Sequence, residues 1–385
     1  MRRLSRLVGA GGVITIALAV SATTFATTAS ADSASPVVGH AYVDGNTVGT
    51  NTVDVLDRHA DGSLTPAPES PVAIGGAGTG TGLGSQGAIQ ASPDGRFLLV
   101  VDAGSNQVSV LSVRSDGTPA LVGDPVGSGG VEPTSIAVSP KRIVYVSNVG
   151  DGGSDYAGFR LTTEGKLIAI PHSTVVVPEG SGVGDVFFNS IGDRLVGTRV
   201  NSSLIDSFTV GAAGRLSAAA GSPFPAQAAG PFGSEFRPTD PSQLYVSNAH
   251  AGADNGTVSA FADGADGTLT SIGNSPYPDF QTAPCWIEIT HDGKYLFAIN
   301  TASTNLSRYA INDDGSLTLL GSTSFNDGVG AVDARLSPDG KTLSVVGGRS
   351  HLVSTFAVNG ADLTELASSP VALPADGAPS GIVVL

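Results

Sequence analysis

On one alternating register of short apolar segments, this 385-residue chain collects four carboxylates, one guanidinium and its only tryptophan: Asp185, Glu235, Glu288, Asp333, Arg335 and Trp286. A carboxylate that takes a proton from water, beside a cation that holds a developing oxyanion, is the minimum equipment for adding water to an ester-like carbonyl. Glu288 or Glu235 would be the base and Arg335 the electrophile. Trp286 would wall a flat ligand, and Gln90, Asp185 and Asp333 would complete the ring. Arg199 and His250 are expected on the rim, with Glu132, Asn148, Asn300, Arg349 and His351. The four carboxylates are also hard oxygen ligands, so the alternative to a site without a cofactor is one holding a divalent cation such as calcium. Arg335 in the same layer, and the lack of a compact EF-hand-like loop, count against the metal. A further reading is structural: a wet channel tolerates polar side chains that satisfy one another or water.

Other chemistries find no motif. The chain has no Gly-x-Ser-x-Gly elbow, no His-Glu-x-x-His and no Cys-x-x-Cys. A Gly-x-Gly-x-x-Gly match at Gly82, Gly84 and Gly87 lies in the glycine-rich run "GGAGTGTGLGSQG" and precedes a short strand, not the helix a dinucleotide fold needs. That run is expected to cover part of the channel mouth. Cys285, with no partner histidine, reads as a small buried filler.

An internal repeat must position these residues. Anchors at Ser92, Ser139, Asn189, Arg237, Thr290 and Ser337 recur at intervals of 47 to 53 residues. Each is followed by an apolar run ("FLLVVD", "IVYVSN", "RLVGTR", "QLYVSN", "YLFAIN", "TLSVVG"), a third strand, a turn such as Asp116-Gly117 or Asp314-Gly315, and a fourth strand. Four antiparallel strands per repeat of this length predict a propeller blade. The first unit, "VGHAYVDGN" and "TVDVLDR", lacks its innermost strand, and the C-terminal "PSGIVVL" supplies one. The expected fold is all-β: a seven-bladed β-propeller closed by the C-terminal strand, which leaves no open sheet edge to aggregate. Counting back from each anchor, positions −1 and −3 are nearly all apolar. Positions −2 and −4 carry the polar set named above, and alternation would turn that set toward the channel.

"SPDGRFLLVVDAGSNQVSVLSV", "SPDGKTLSVV" and the Leu244-Tyr245-Val246-Ser247-Asn248 strand end resemble the seven-bladed propellers of the lactonase family, which includes propeller-type 6-phosphogluconolactonases and carboxymuconate-lactonising enzymes. The resemblance covers essentially the whole chain after its leader. It implies a small lactone or organic acid as ligand, bound at the channel mouth. It also implies a catalytic set that this chain lacks or has rebuilt. Ser85-Gln86-Gly87 stands where the relatives carry His-Pro-His, and Gly184-Asp185 where they carry Arg-His. Arg199 replaces a glutamate, and Ala249 an arginine. The competing class is a non-catalytic extracellular binding propeller, because a fold does not carry an activity by itself.

Residues 1–31 read as a secretory signal: Arg2, Arg3 and Arg6, then "LVGAGGVITIALAV", then Ala29-Ser30-Ala31. The remaining 32–385 form one domain. Three of the 19 basic residues lie in the leader, leaving 16 against 34 acidic ones. Such a chain repels nucleic acid and anionic lipid. A secreted monomer is expected, with no nucleic-acid or membrane partner. Export argues against an intracellular sugar-phosphate lactone as substrate.

Overall fold

Short apolar runs rich in Val, Ile, Leu and aromatics, each cut by a Gly- or Asn-containing turn, favour short strands, and short strands are what these runs form. The computed structural model describes residues 35–326 and 330–385; the leader expected over 1–31 lies outside them. Among the described residues there is no helix. Seven antiparallel sheets stand as blades around an axis. Blade 1 is stitched from both ends of the chain. Its innermost strand is Ser380–Val384, pairing with Val37–Asp44 in the register Tyr42↔Val383. His40 and Leu385 exchange backbone hydrogen bonds at 2.9 and 2.8 Å. The innermost strands of blades 2 to 7 are Ile89–Ala91, Pro133–Val138, Val183–Phe188, Pro231–Phe236, Pro284–Ile289 and Ala331–Leu336. The second strands fall on the six apolar runs named above, from Phe97–Asp102 to Thr342–Gly347.

The fourth strand departs from the single run expected. In six blades it breaks in two, as at Pro119–Leu121 and Val126–Gly127, and both pieces pair with the third strand. The break would orphan a third-strand N–H, and a serine hydroxyl accepts it instead. Val55 donates to Ser70, Gly158 to Ser173, Ser207 to Ser222, Ala260 to Ser275 and Thr355 to Ser369, at 2.7 to 3.1 Å. A buried donor left without that partner would cost about 1–3 kcal/mol.

Seven apolar clusters fill the seams between blades, built largely from positions −1 and −3 of the inner strands and from the second and third strands. Hydrogen bonds pin several seams from one blade to the next. Tyr42 donates to the Gly117 carbonyl at 2.7 Å, Tyr145 to Gly214 at 2.8 Å and Tyr245 to Gly315 at 2.9 Å. The turn glycine is needed twice over at Gly117: its φ is +82°, and a Cβ there would run into the His40 ring.

Because Ser380–Val384 is the strand that closes the ring, removing Ser380–Leu385 leaves Val37–Asp44 as a bare inner edge. The expected outcome is a lower and broader thermal transition with oligomers on size-exclusion chromatography. A sharp monomeric transition at the wild-type midpoint would contradict this.

Candidate functional site

Sheets packed face to face around a ring look at their neighbours with both faces. Only the edge of each inner strand looks at the axis. This geometry decides where the polar register goes. Instead of lining the channel side by side, as expected, its carboxylates reach forward and accept backbone N–H groups of the next inner strand. Asp185 accepts from the Ser234 N–H at 2.9 Å and the Ser234 hydroxyl at 2.7 Å. Glu235 accepts from Ile289 N–H at 2.7 Å and Glu288 from Leu336 N–H at 2.9 Å. Asp333 accepts from Ile382 N–H at 3.3 Å. Ser135 does the same with its hydroxyl for Val186 at 3.2 Å. Four blade-to-blade steps in succession therefore end on a carboxylate. Each such bond contributes about 0.5–1.5 kcal/mol while its carboxyl is neutral and about 1.5–3 kcal/mol once it is ionised.

The glycine-rich run does more than cover the mouth: its end enters the ring. Ser85 donates to the Thr134 carbonyl at 2.6 Å, and Gln86 N–H donates to the Gly184 carbonyl at 2.8 Å. The Gln86 amide nitrogen crosses to the Ile287 carbonyl at 2.9 Å. Its amide oxygen lies against Gly233, where any Cβ would collide with it. Gly87 N–H faces Asp333 at 3.4 Å. One tripeptide thus ties together blades 3, 4, 6 and 7 at the end of the channel where the inner strands begin.

Beyond this plug, toward the end where the inner strands finish, lies an axial cavity of about 250 Å³. Gln90, Ala137, Phe187, Glu235 and Arg335 line it. Arg335 is held by Glu288, Nη1 to Oε2 at 3.3 Å. The structure therefore brings Glu235, Arg335 and Gln90 of the expected set to one space, and keeps Glu288 behind the guanidinium.

Electrostatics separates the two glutamates. Burial, then the nearby Glu288 charge, pushes the Glu235 carboxyl well above its ordinary range. Burial also raises Glu288, opposed by Arg335 and the Leu336 N–H. Burial pushes Asp185 up to about 7 and Asp333 up to about 6. For Arg335 burial pulls down, but Glu288, Asp333 and Glu235 outweigh it and keep the guanidinium charged. Arg335, in contact with Glu288, is the main influence opposing that glutamate's rise, whereas the Glu288 charge drives Glu235 further up.

Other expected residues are placed elsewhere. Trp286 is 2% exposed; its indole N–H donates to the Ala331 carbonyl at 2.9 Å and its ring meets Phe232 edge-on at 4.8 Å, so it packs a seam and walls no open space. Arg199 is drawn off the rim into a two-pronged pair with Asp206, at 2.6 Å for both bonds, and Tyr156 donates to the same carboxylate. Asn148 and Asn300 turn inward to the third strands, donating to Asp155 at 2.7 Å and Ser307 at 2.8 Å. His250 is exposed beside the Phe232 ring, on the side the plug closes. Cys285 is buried, and burial pushes its thiol up to about 11. Among the described residues no three His, Cys, Asp or Glu side chains come together as a metal-ligating group. Asp185, Glu235, Glu288 and Asp333 point to four different N–H groups.

The family profile of the lactonases, seven-bladed β-propellers, matches residues 40–183 and 195–367, and the chain belongs to that family. Its fold is similar to that of a candidate 6-phosphogluconolactonase from Bacteroides uniformis, with a TM-score of 0.72 at 18% identity over 90% of this chain and 99% of that one. It is equally similar to the periplasmic gluconolactonase of Pseudomonas aeruginosa, with a TM-score of 0.70 at 19% identity over 90% and 99%. At such identities the likeness is one of fold. No curated protein sequence matches the chain.

The raised carboxyls set a pH dependence. A carboxyl whose folded pKa lies above its unfolded one binds more protons in the folded state, so stability falls as pH rises between the two values. For Asp185 and Asp333 that window runs from the unfolded carboxylate value to about 7 and about 6. The melting temperature is therefore expected to be highest in mild acid and to drop toward neutrality. Asp185→Asn, which can still accept from Ser234, should flatten the drop; thermal melts from pH ~4.5 to pH ~8 check both outcomes.

Proposed function

We propose that this protein is an exported lactonase-family propeller that takes a small lactone or organic acid into the axial cavity and opens the lactone ring there. The observation that carries the reading is the meeting of Arg335 and Glu235 on one space, with Arg335 fixed from behind by Glu288. Arg335 holds the ligand carbonyl. Ionised Glu235 takes a proton from a water molecule as that water attacks the carbonyl carbon, and the guanidinium holds the oxyanion of the tetrahedral intermediate. The ring C–O bond then breaks, and the Glu235 proton passes to the departing alkoxide oxygen. The product is a hydroxy acid whose carboxylate stays against Arg335. Phe187 and Ala137 give the cavity an apolar side for the ring carbons. The relatives named for gluconolactone chemistry support a sugar-like or hydroxylated lactone, and the signal read at 1–31 supports an extracellular one.

Because Glu235 must lose its proton to act, ring opening is expected to rise with pH through a value well above that of free glutamic acid. Glu235→Gln keeps the Ile289 contact and should lower the rate about 10²-fold or more on a panel of small lactones. Wild-type rates equal to background across the panel would remove the enzymatic reading.

A second reading is favoured by the plug, which fills the position of the relatives' His-Pro-His. The same cavity can hold a carboxylic acid without turning it over, with protonated Glu235 and Arg335 both donating to the ligand carboxylate. In that case affinity for a small hydroxy acid falls, rather than rises, as pH is raised through the Glu235 range. Calorimetric titrations at several pH values separate the two.

A further inference from the structure

One cavity among the described residues is neither on the axis nor used by the reading above. It is a cleft of about 760 Å³ between blades 1 and 2. Its origin is the way the ring closes. In blades 2 to 7 a tight turn joins the innermost strand to the second, and several of these turns lean on the next. Asp94 pairs with Arg142, Asn189 reaches the Pro241 carbonyl, and Arg237 donates to the Gly293 carbonyl at 2.7 Å. Blade 1 has no such turn, because its innermost strand comes from residues 380–384 and its second from residues 37–44. The circle of turns is interrupted there, and the seam beneath is open.

The lining has two kinds of surface. Val37, Val38, Val55, Val72, Val113 and Leu385 make an apolar trough, with Val37 and Val38 47% and 50% exposed. Asp57, Glu69 and Asp116 stand on the same walls, against Arg114 and the His40 imidazole. His40 Nε2 lies 3.3 Å from Asp57. Thr118 N–H donates to Asp116 at 3.0 Å and keeps that carboxyl below its ordinary range, so it carries charge. At the floor the Tyr42 hydroxyl is already committed to the Gly117 carbonyl. The volume is that of a small-molecule site, and the mixture of apolar trough and excess carboxylate defines what fits.

The geometry points to a second binding site, in the seam between blades 1 and 2, for a small amphiphile with an apolar body and a cationic amine head. The body lies along the valines and the ammonium faces Asp57 and Asp116. The net negative charge of the whole chain, −15, draws the same class of ligand and repels its anionic counterparts. This site shares no lining residue with the axial cavity, so it stands whatever the axial cavity does.

The test is calorimetry on the full chain with octylamine and with octanoate as probes. Octylamine should bind at one saturable site, and octanoate more weakly. The Asp57→Asn, Asp116→Asn pair should weaken octylamine about five- to tenfold, the effect of two partly exposed charges. Val38→Trp, at an exposed position, should abolish binding by filling the trough while leaving the melting temperature unchanged. Glu235→Gln should have no effect. No saturable octylamine binding, octanoate binding as tight as octylamine, or octylamine binding untouched by both sets of substitutions would each overturn the proposal.

Discussion

Closing seven sheets into a ring leaves each with an innermost strand whose inner edge has no strand to pair with. Those edges face one axis, and a buried N–H left unbonded there is costly. The chain meets this constraint with side chains of the preceding blade: Ser135, Asp185, Glu235, Glu288 and Asp333 each accept an N–H one blade further on. The Ser85-Gln86-Gly87 plug satisfies edge carbonyls in the same way. Everything at the axis is subordinate to this ladder. A carboxylate committed to an inner edge has one oxygen at most for chemistry, and among the four only Glu235 also borders the cavity.

The same constraint separates what the sequence reveals from what it conceals. The strand ends, the Asp-Gly turns and the closure by "PSGIVVL" are local: apolar runs, turn residues and a missing strand can be read without knowing the neighbours. Blade count and the Tyr42–Val383 pairing follow from them. The direction of positions −2 and −4 is not local. Period-2 alternation says that Asp185 and Glu288 share a face, but the packing of one sheet on the next decides what that face meets. Reading it as the channel wall placed Trp286 and Asp333 in the open, where the structure has them bonded to the adjoining blade. Arg199 is misplaced for a related reason, since Asp206 is seven residues away in sequence but on the neighbouring strand, two places diagonally off in register. The Gln86 plug carried no sequence signal beyond glycines that let the run fold back.

Blade 1 shows the cost of stitching a ring from two ends. The last strand pairs with residues 41–44, yet no turn connects them, and the adjoining seam keeps a gap of about 760 Å³. The axial cavity is smaller and differently charged: there one guanidinium is shared among buried acids, and in the seam carboxylates prevail. The two spaces would select opposite ligand charges.

The central claim is that Glu235 is the carboxyl that keeps its proton at the axis while Glu288 holds Arg335. Carbon-13 NMR of the glutamate side-chain carboxyls across a pH titration measures this directly. The account predicts that Glu235 titrates well above free glutamic acid and later than Glu288, and that Arg335→Met moves it higher still. A Glu235 resonance that titrates in the ordinary carboxylate range, unmoved by Arg335→Met, would contradict the account.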